Sequence, residues 1–156
     1  MTDQTSELSS AVDNTRTVET FLSALQDEDF DTAEELLADN IVWQNVGYPT
    51  MRGRDRIMRL FRRGQGRLGF AVKFHRIAAD GSAVLTERTD ALTIGPVRMQ
   101  FWVCGVFEVH DGRITLWRDS FDFLDIARGT LRGVVSMLVP SLAAKAPASA
   151  EDPPGR

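Results

Sequence analysis

Arg88 and Asp90 stand two residues apart in the run Thr86-Glu87-Arg88-Thr89-Asp90, inside a segment that reads as a β-strand. Residues two apart in a strand share a face, so the pair projects together with Val84, Thr86 and Leu92. A second run, Ile114-Thr115-Leu116-Trp117-Arg118-Asp119-Ser120-Phe121, sets Asp119 between Trp117 and Phe121 on one face of another strand. Two carboxyls in apolar surroundings cannot both ionise cheaply. Burial raises an aspartate above its ordinary pKa of about 3.9, and a like charge nearby drives the two proton affinities apart. Such a pair shares one proton and offers an acid and a base within one site. An arginine suits the place between them, because a planar guanidinium carries enough donors to bridge both carboxyls and hold them. Its charge opposes the upward shift, so hydrophobic surroundings have to outweigh it. Alone, Arg-x-Asp on a strand is an ordinary surface pair, and the case rests on the elements that position it.

A chain of 156 residues with 43% hydrophobic content predicts one soluble domain with a substantial core. No run approaches the ~18 apolar residues of a membrane helix. The start of the chain is polar, without the charged beginning and apolar middle of a secretory signal, so the expected location is cytoplasmic. Cys104 is the only cysteine, which excludes intrachain disulfides and multi-cysteine metal sites; a buried thiol in an apolar strand is expected. His75 and His110 lie in different segments without metal-ligand spacing, and no metal is expected. The net charge of −4 argues against a nucleic-acid partner. Arginines nevertheless crowd Arg52, Arg54, Arg56, Arg59, Arg62, Arg63 and Arg67. With no aromatics interleaved for base stacking, they are expected to cover the solvent side of a short helix and to pair with the acidic helices, whose acids crowd Glu19 to Asp39. Gly64-Gln65-Gly66-Arg67-Leu68-Gly69 fits the pattern GxGxxG, but a helix precedes it and a strand follows. That order is the reverse of a dinucleotide fingerprint, so it is expected to be a helix-to-strand loop.

Three segments make up the expected organisation: a disordered tail over 1–12, a domain over 13–139, and a disordered Ala-, Pro- and Ser-rich tail over 140–156. Val18, Phe21, Leu22 and Leu25 mark the buried face of a first helix, capped by Asp13 or Thr15. A second short helix is expected from Asp31, with Ala33, Leu36 and Leu37 inward and Asn40 closing it. A strand over 41–46 follows, in which Trp43 and Asn45 share a face, then a turn at Gly47-Tyr48-Pro49. A third helix over 54–63 carries Ile57, Leu60 and Phe61 as its apolar stripe. Four strands are predicted at 70–79, 82–93, 98–110 and 113–121, with turns at Asp80-Gly81, Gly95-Pro96 and Asp111-Gly112. Asp122 caps a short helix ended by Gly129, and Leu131, Val134, Val135 and Leu138 mark a last amphipathic helix over the pocket mouth or against another subunit. Helices followed by a curved meander form an α+β cone: a mixed or antiparallel sheet wrapped around N-terminal helices, enclosing an apolar pocket. This is the outline of nuclear-transport-factor-2-like domains.

Trp43-Gln44-Asn45, Gly53-Arg54-Asp55, Thr86-Glu87-Arg88-Thr89-Asp90, Gly105-Val106-Phe107 and Trp117-Arg118-Asp119-Ser120-Phe121-Asp122 occur in that order. Together they resemble the motifs of limonene-1,2-epoxide hydrolase and its bacterial relatives, over about residues 18–125. The resemblance implies an epoxide hydrolase that needs no cofactor, takes a hydrophobic small-molecule epoxide and water, and forms a homodimer. It implies Asp119 as the base, Asp90 as the acid and Arg88 as the bridge. Asn45 would orient the water with the residue two before it, a tyrosine in the family pattern and Trp43 here; an indole donates one hydrogen bond and accepts none. Strand alternation puts Leu92 beside Asp90 and Phe121 beside Asp119, and the resemblance adds Phe101 and Val103 to the lining. Such a wall predicts a terpenoid, lipid or sterol-like epoxide. Two other readings stay open: an isomerase or cyclase on the same scaffold, and a non-catalytic small-molecule-binding module. The isomerase would want a tyrosine in the pocket, and the only tyrosine, Tyr48, falls in a turn.

Overall fold

The computed structural model describes residues 2–139 and 141. Its elements are α1 (Thr2–Gln26), α2 (Phe30–Glu35), β1 (Leu37–Asn45), β2 (Met51–Arg52), α3 (Arg54–Gly64), β3 (Leu68–Asp80), β4 (Ala83–Ile94), β5 (Val97–His110), β6 (Arg113–Phe121) and α4 (Phe123–Ser136). The strands form one six-stranded sheet in the order β2-β1-β6-β5-β4-β3. β3 to β6 run as an antiparallel meander, and β1 lies parallel beside β6, so the sheet is mixed. This is the α+β cone the element order predicts.

Turn chemistry explains the meander. Asp111 and Gly112 both have positive φ, 50° and 72°, as a type I′ hairpin requires, and they join His110 to its partner Arg113. Gly95 at φ 56° and Pro96 join the Ile94–Val97 rung. The remaining turn sits one residue later than expected, at Gly81-Ser82, since Asp80 already pairs with Ala83.

The core forms where the helices meet the concave sheet face. Val18, Phe21, Leu22 and Leu25 of α1 are buried as their spacing predicts, against Phe107, Val109, Ile114 and Trp117. Each such side chain contributes roughly 1.5–3 kcal/mol by leaving water. Polar ties hold α1 to the sheet: Asn14 Nδ2 donates to the Gly81 carbonyl at 3.0 Å, and Gln26 Oε1 accepts from the Val72 amide at 2.9 Å.

Several boundaries differ from expectation. Residues 2–12 continue α1 rather than forming a tail, so neither Asp13 nor Thr15 caps it. No proline or glycine interrupts 2–26, and Ser9, Ser10 and Asp13 line a cleft with the Gly81 and Asp111 turns. The second helix stops at Glu35, and Leu37 to Asn40 open β1; the buried Leu37 serves a strand against Ile114 as well as it would a helix. β2 is too short to show a period. In α3 the buried pair is Ile57 and Met58, with Phe61 half-buried, while Leu60 points outward. Asp122 caps a single helix, α4, because Gly129 does not end it. Leu131, Val134 and Leu138 lie exposed, and α4 packs through its glycines instead. Cys104 is half-buried on the outward face of β5 rather than in the core. Residues 142–156 and 140, expected as tail, lie outside the described residues.

Candidate active site

Three strands bring the chemistry together. Thr86, Arg88 and Asp90 alternate inward along β4, all buried as the spacing predicts. Asp119 projects from β6, two strands away, with Gly105 of β5 between Thr86 and Asp119 in the cross-strand register. That glycine makes the site possible. A Cβ at position 105 would lie 2.3 Å from Arg88 Nη1, 2.5 Å from Thr86 Oγ1 and 2.9 Å from Asp119 Oδ1, so the guanidinium lies over the bare backbone of β5.

Arg88 is fully buried and spends its donors on neighbours within reach. Nε donates to Asp90 Oδ1 and Oδ2 at 2.9 and 3.2 Å, Nη2 to Asp119 Oδ2 at 2.6 Å, and Nη1 to Thr86 Oγ1 at 3.0 Å. Its Cζ stands 5.8 Å from the Phe107 ring centroid. Asp119 Oδ2 takes a second donor, Trp117 Nε1, at 2.8 Å, whereas Oδ1 is buried without a partner among the described residues. Trp117 is itself locked by aromatic neighbours, with Trp43 stacked at 4.8 Å and Phe21 edge-on at 5.2 Å.

Burial dominates the proton affinities. It pushes Asp90 up to about 6, against the opposing pull of Arg88 and with help from Asp119. Asp119 is raised for the same reason, opposed by Arg88 and by the Trp117 hydrogen bond. Burial also works against the guanidinium, but the two carboxyls outweigh it, and Arg88 is held above its usual value. Among the described residues, no group of three or more His, Cys, Asp or Glu side chains is arranged to hold a metal.

The parallel pairing of β1 with β6 sets Trp43 beside Trp117 and Asn45 beside Asp119. All of these line a cavity of about 420 Å³, with Leu92, Phe101, Val103 and Phe121 on its apolar wall as expected, joined by Leu25, Phe61, Phe70, Met99 and Ile126. Trp43 Nε1 is buried without a hydrogen-bond partner among the described residues. Sequence spacing does not point to three contributors. Gly105, which belongs to one of the family-like motifs, is otherwise signalled only by being a glycine inside an apolar central strand. Trp117 reads as core until its Nε1 is seen on Asp119. Tyr48, expected in a turn, is in that turn and also lines the cavity, its ring 6.2 Å from Phe121 and 5.7 Å from Phe123. Glu87 and Arg118 face away as expected, onto Arg76 and Gln44.

Comparison with known proteins bears on this arrangement. A model of the limonene-1,2-epoxide hydrolase catalytic domain matches residues 12–132. The chain belongs to the limonene-1,2-epoxide hydrolase family. It is 65% identical over 127 residues to epoxide hydrolase EphG of Mycobacterium tuberculosis, covering 81% of this chain and 85% of that protein. A solved M. tuberculosis epoxide hydrolase described as limonene-epoxide-hydrolase-like superposes with a TM-score of 0.85 at 62% identity, over 86% of this chain and 96% of that one. A nuclear-transport-factor-2-like protein from Burkholderia xenovorans, at 20% identity and TM-score 0.63 over 78% of this chain and 98% of its own, shares the fold. This member of the family is therefore an epoxide hydrolase, acting on an epoxide and water. Among its described residues no helix is long and apolar enough to cross a membrane.

Proposed function

We propose that this epoxide hydrolase opens a hydrophobic epoxide, terpenoid, lipid or sterol-like, to a vicinal diol by direct attack of water. The observation that carries the reading is a single buried guanidinium bonded to two buried carboxyls on the wall of an apolar cavity. Asp119 acts as base. It takes a proton from a water whose oxygen attacks one ring carbon, while Asp90, as acid, gives its proton to the ring oxygen as the carbon–oxygen bond breaks. Atoms balance as epoxide plus water to diol, and the proton gained by Asp119 replaces the one lost by Asp90.

The hydrogen-bond donors support this assignment of roles. Asp119 Oδ2 receives two N–H groups at 2.6 and 2.8 Å, which favours its ionised form, while Asp90 receives one shared N–H. This difference supports placing the shared proton on Asp90. Oδ1 of Asp119 accepts from no protein donor among the described residues, which leaves it a lone pair with which to take a proton. Asn45, in register with Asp119, orients the water, and Trp43 Nε1 donates to its oxygen. Leu92, Phe101, Val103 and Phe121 hold the hydrocarbon, and the cavity volume of about 420 Å³ falls within the usual small-molecule range.

Conversion of terpene, fatty and sterol epoxides to diols by the purified protein tests the substrate class. Asp90→Asn and Asp119→Asn are each expected to lower turnover by at least about a hundredfold with folding intact. A panel giving no diol above the uncatalysed blank would sink the reading. Single turnover in heavy-oxygen water separates mechanisms, because diol carrying protein-derived oxygen would mean a covalent ester on aspartate.

A further inference from the structure

The arginine-rich helix was expected to discharge its charge onto the acidic helices, and it does so only in part. Arg62 Nη2 pairs with Asp31 at 2.9 Å and Glu34 at 2.5 Å, and Arg54 pairs with Asp39 at 2.8 Å. Arg52, Arg56, Arg59, Arg63 and Arg67 are exposed and make no ion pair or side-chain hydrogen bond among the described residues. Arg56, Arg59 and Arg63 share a helical face and, with Met51 and Leu60, line a concavity of about 370 Å³. Asp55 and Glu34, the latter paired with Arg62, are the acidic residues of the adjoining concavity, which Arg59 and Arg63 also line. A chain of net charge −4 thus concentrates unpaired cations on one surface.

This surface runs to the rim of the cavity. Phe70 and Leu92 are cross-strand partners and both line the cavity. The next partners outward on the same faces are Leu68 and Ile94, and they are 46% and 50% exposed. Leu68 packs on Gly64 at the end of α3, and Arg67 precedes it in the chain. Leu60, 44% exposed, lies among the arginines. Cations, exposed aliphatic side chains and an apolar cavity are therefore contiguous. That combination fits a membrane interface, where arginines meet phosphates and aliphatic residues dip below them. Nucleic acid would not need the aliphatic lip and would favour exposed aromatics for stacking, whereas Phe61, the aromatic among these arginines, lines the cavity instead.

We infer that the α3 face, with the Leu68–Ile94 lip, docks on an anionic lipid bilayer and sets the cavity mouth against the phase in which an apolar epoxide concentrates. Docking is independent of the chemistry assigned to Asp90 and Asp119. Its value for substrate loading rests on the hydrophobic-substrate reading, so binding and turnover are measured separately.

The test is flotation of the full chain with phosphatidylcholine vesicles, with and without phosphatidylglycerol, at low and at raised salt. Binding is expected to the anionic vesicles alone and to weaken with salt. Arg56→Gln, Arg59→Gln and Arg63→Gln together should weaken it roughly a hundredfold, at about fivefold per arginine, while hydrolysis of a water-dissolved epoxide is unchanged. Replacing the same three by lysine should keep binding within a few-fold, since a bilayer reads charge rather than the bidentate fork of a dedicated phosphate site. Equal binding to neutral vesicles, full binding by the glutamine variant, or loss in the lysine variant overturns the inference. So does binding of inorganic phosphate or heparin at this face without vesicle recruitment.

Discussion

At position 105 the absence of a side chain does the organising. Arg88 must reach from β4 across β5 to Asp119 on β6, and only a residue without Cβ leaves the guanidinium its path. Gly105→Ala should therefore cost far more than a surface glycine would. The atoms it meets are ends of side chains, yet all three belong to one buried bonded set and cannot move independently. We expect turnover to fall about a hundredfold, from displacement of the bridge by an ångström or so, with roughly 1–3 kcal/mol of stability lost to overpacking. Diol formation and urea unfolding measure the two; wild-type turnover in Gly105→Ala would remove Arg88 from the chemistry. How legible was this site? Period-two alternation alone puts Arg88 with Asp90 and Asp119 with Trp117 and Phe121. It cannot say that these two strands flank a third, because register is set by pairing partners remote in the chain. Gly105, Trp117 and Tyr48 acquire meaning only from that register.

Among the elements, those governed by a local rule were legible and those governed by partners were not. The meander follows from alternation and from glycine turns whose positive φ values the chain needs. The α2 boundary misleads because Leu36 and Leu37 satisfy a helical stripe and a strand alike. α4 misleads for a different reason: Gly129 looks like a helix end and is a packing surface. A Cβ there would stand 2.9 Å from the Gln100 carbonyl oxygen, and one at Gly133 2.8 Å from that of Arg98, so one glycine per turn lets α4 ride on β5. Two effects of opposite sign can be set against each other. Alanine in a helix gains up to about 1 kcal/mol over glycine per site, whereas a Cβ pressed against strand backbone forces the helix outward. The contact should win. Gly129→Ala with Gly133→Ala is expected to lose about 1–3 kcal/mol in urea unfolding. Because Ile126 of α4 lines the cavity, KM should rise more than kcat falls. A double variant more stable than wild type would mean that α4 packs on β5 only loosely.

For the whole molecule, a buried charge cluster ties stability to pH with a sign opposite to the usual acid denaturation. Asp90 moves from an ordinary 3.8 to about 6 in the fold. Between those values the unfolded chain has released a proton that the folded chain still holds, so the unfolded state binds fewer protons and stability falls as pH rises. The full contribution is present below about pH 4 and is gone above about pH 6, a loss on the order of 3 kcal/mol. Asp119 is raised too and adds in the same direction. Asp29 and Glu87 are lowered by hydrogen bonds to Thr32 and Arg76 and act in the opposite sense, but Asp29 is exposed and Glu87 only half-buried, and screening keeps their share small. Asp90→Asn isolates the effect, because the amide oxygen can still accept from Arg88 while the titration disappears. The variant's stability advantage over wild type should grow between about pH 4 and about pH 7 and then level off. If Asp90 is the acid, the same proton governs catalysis, and wild-type kcat/KM should decline as pH rises through about 6. Unfolding and hydrolysis followed over one pH series therefore have to bend together. A stability difference that shrinks with rising pH would show that burial does not raise Asp90, and one that grows while kcat/KM stays flat would leave the buried pair intact but take the proton-donating role from it.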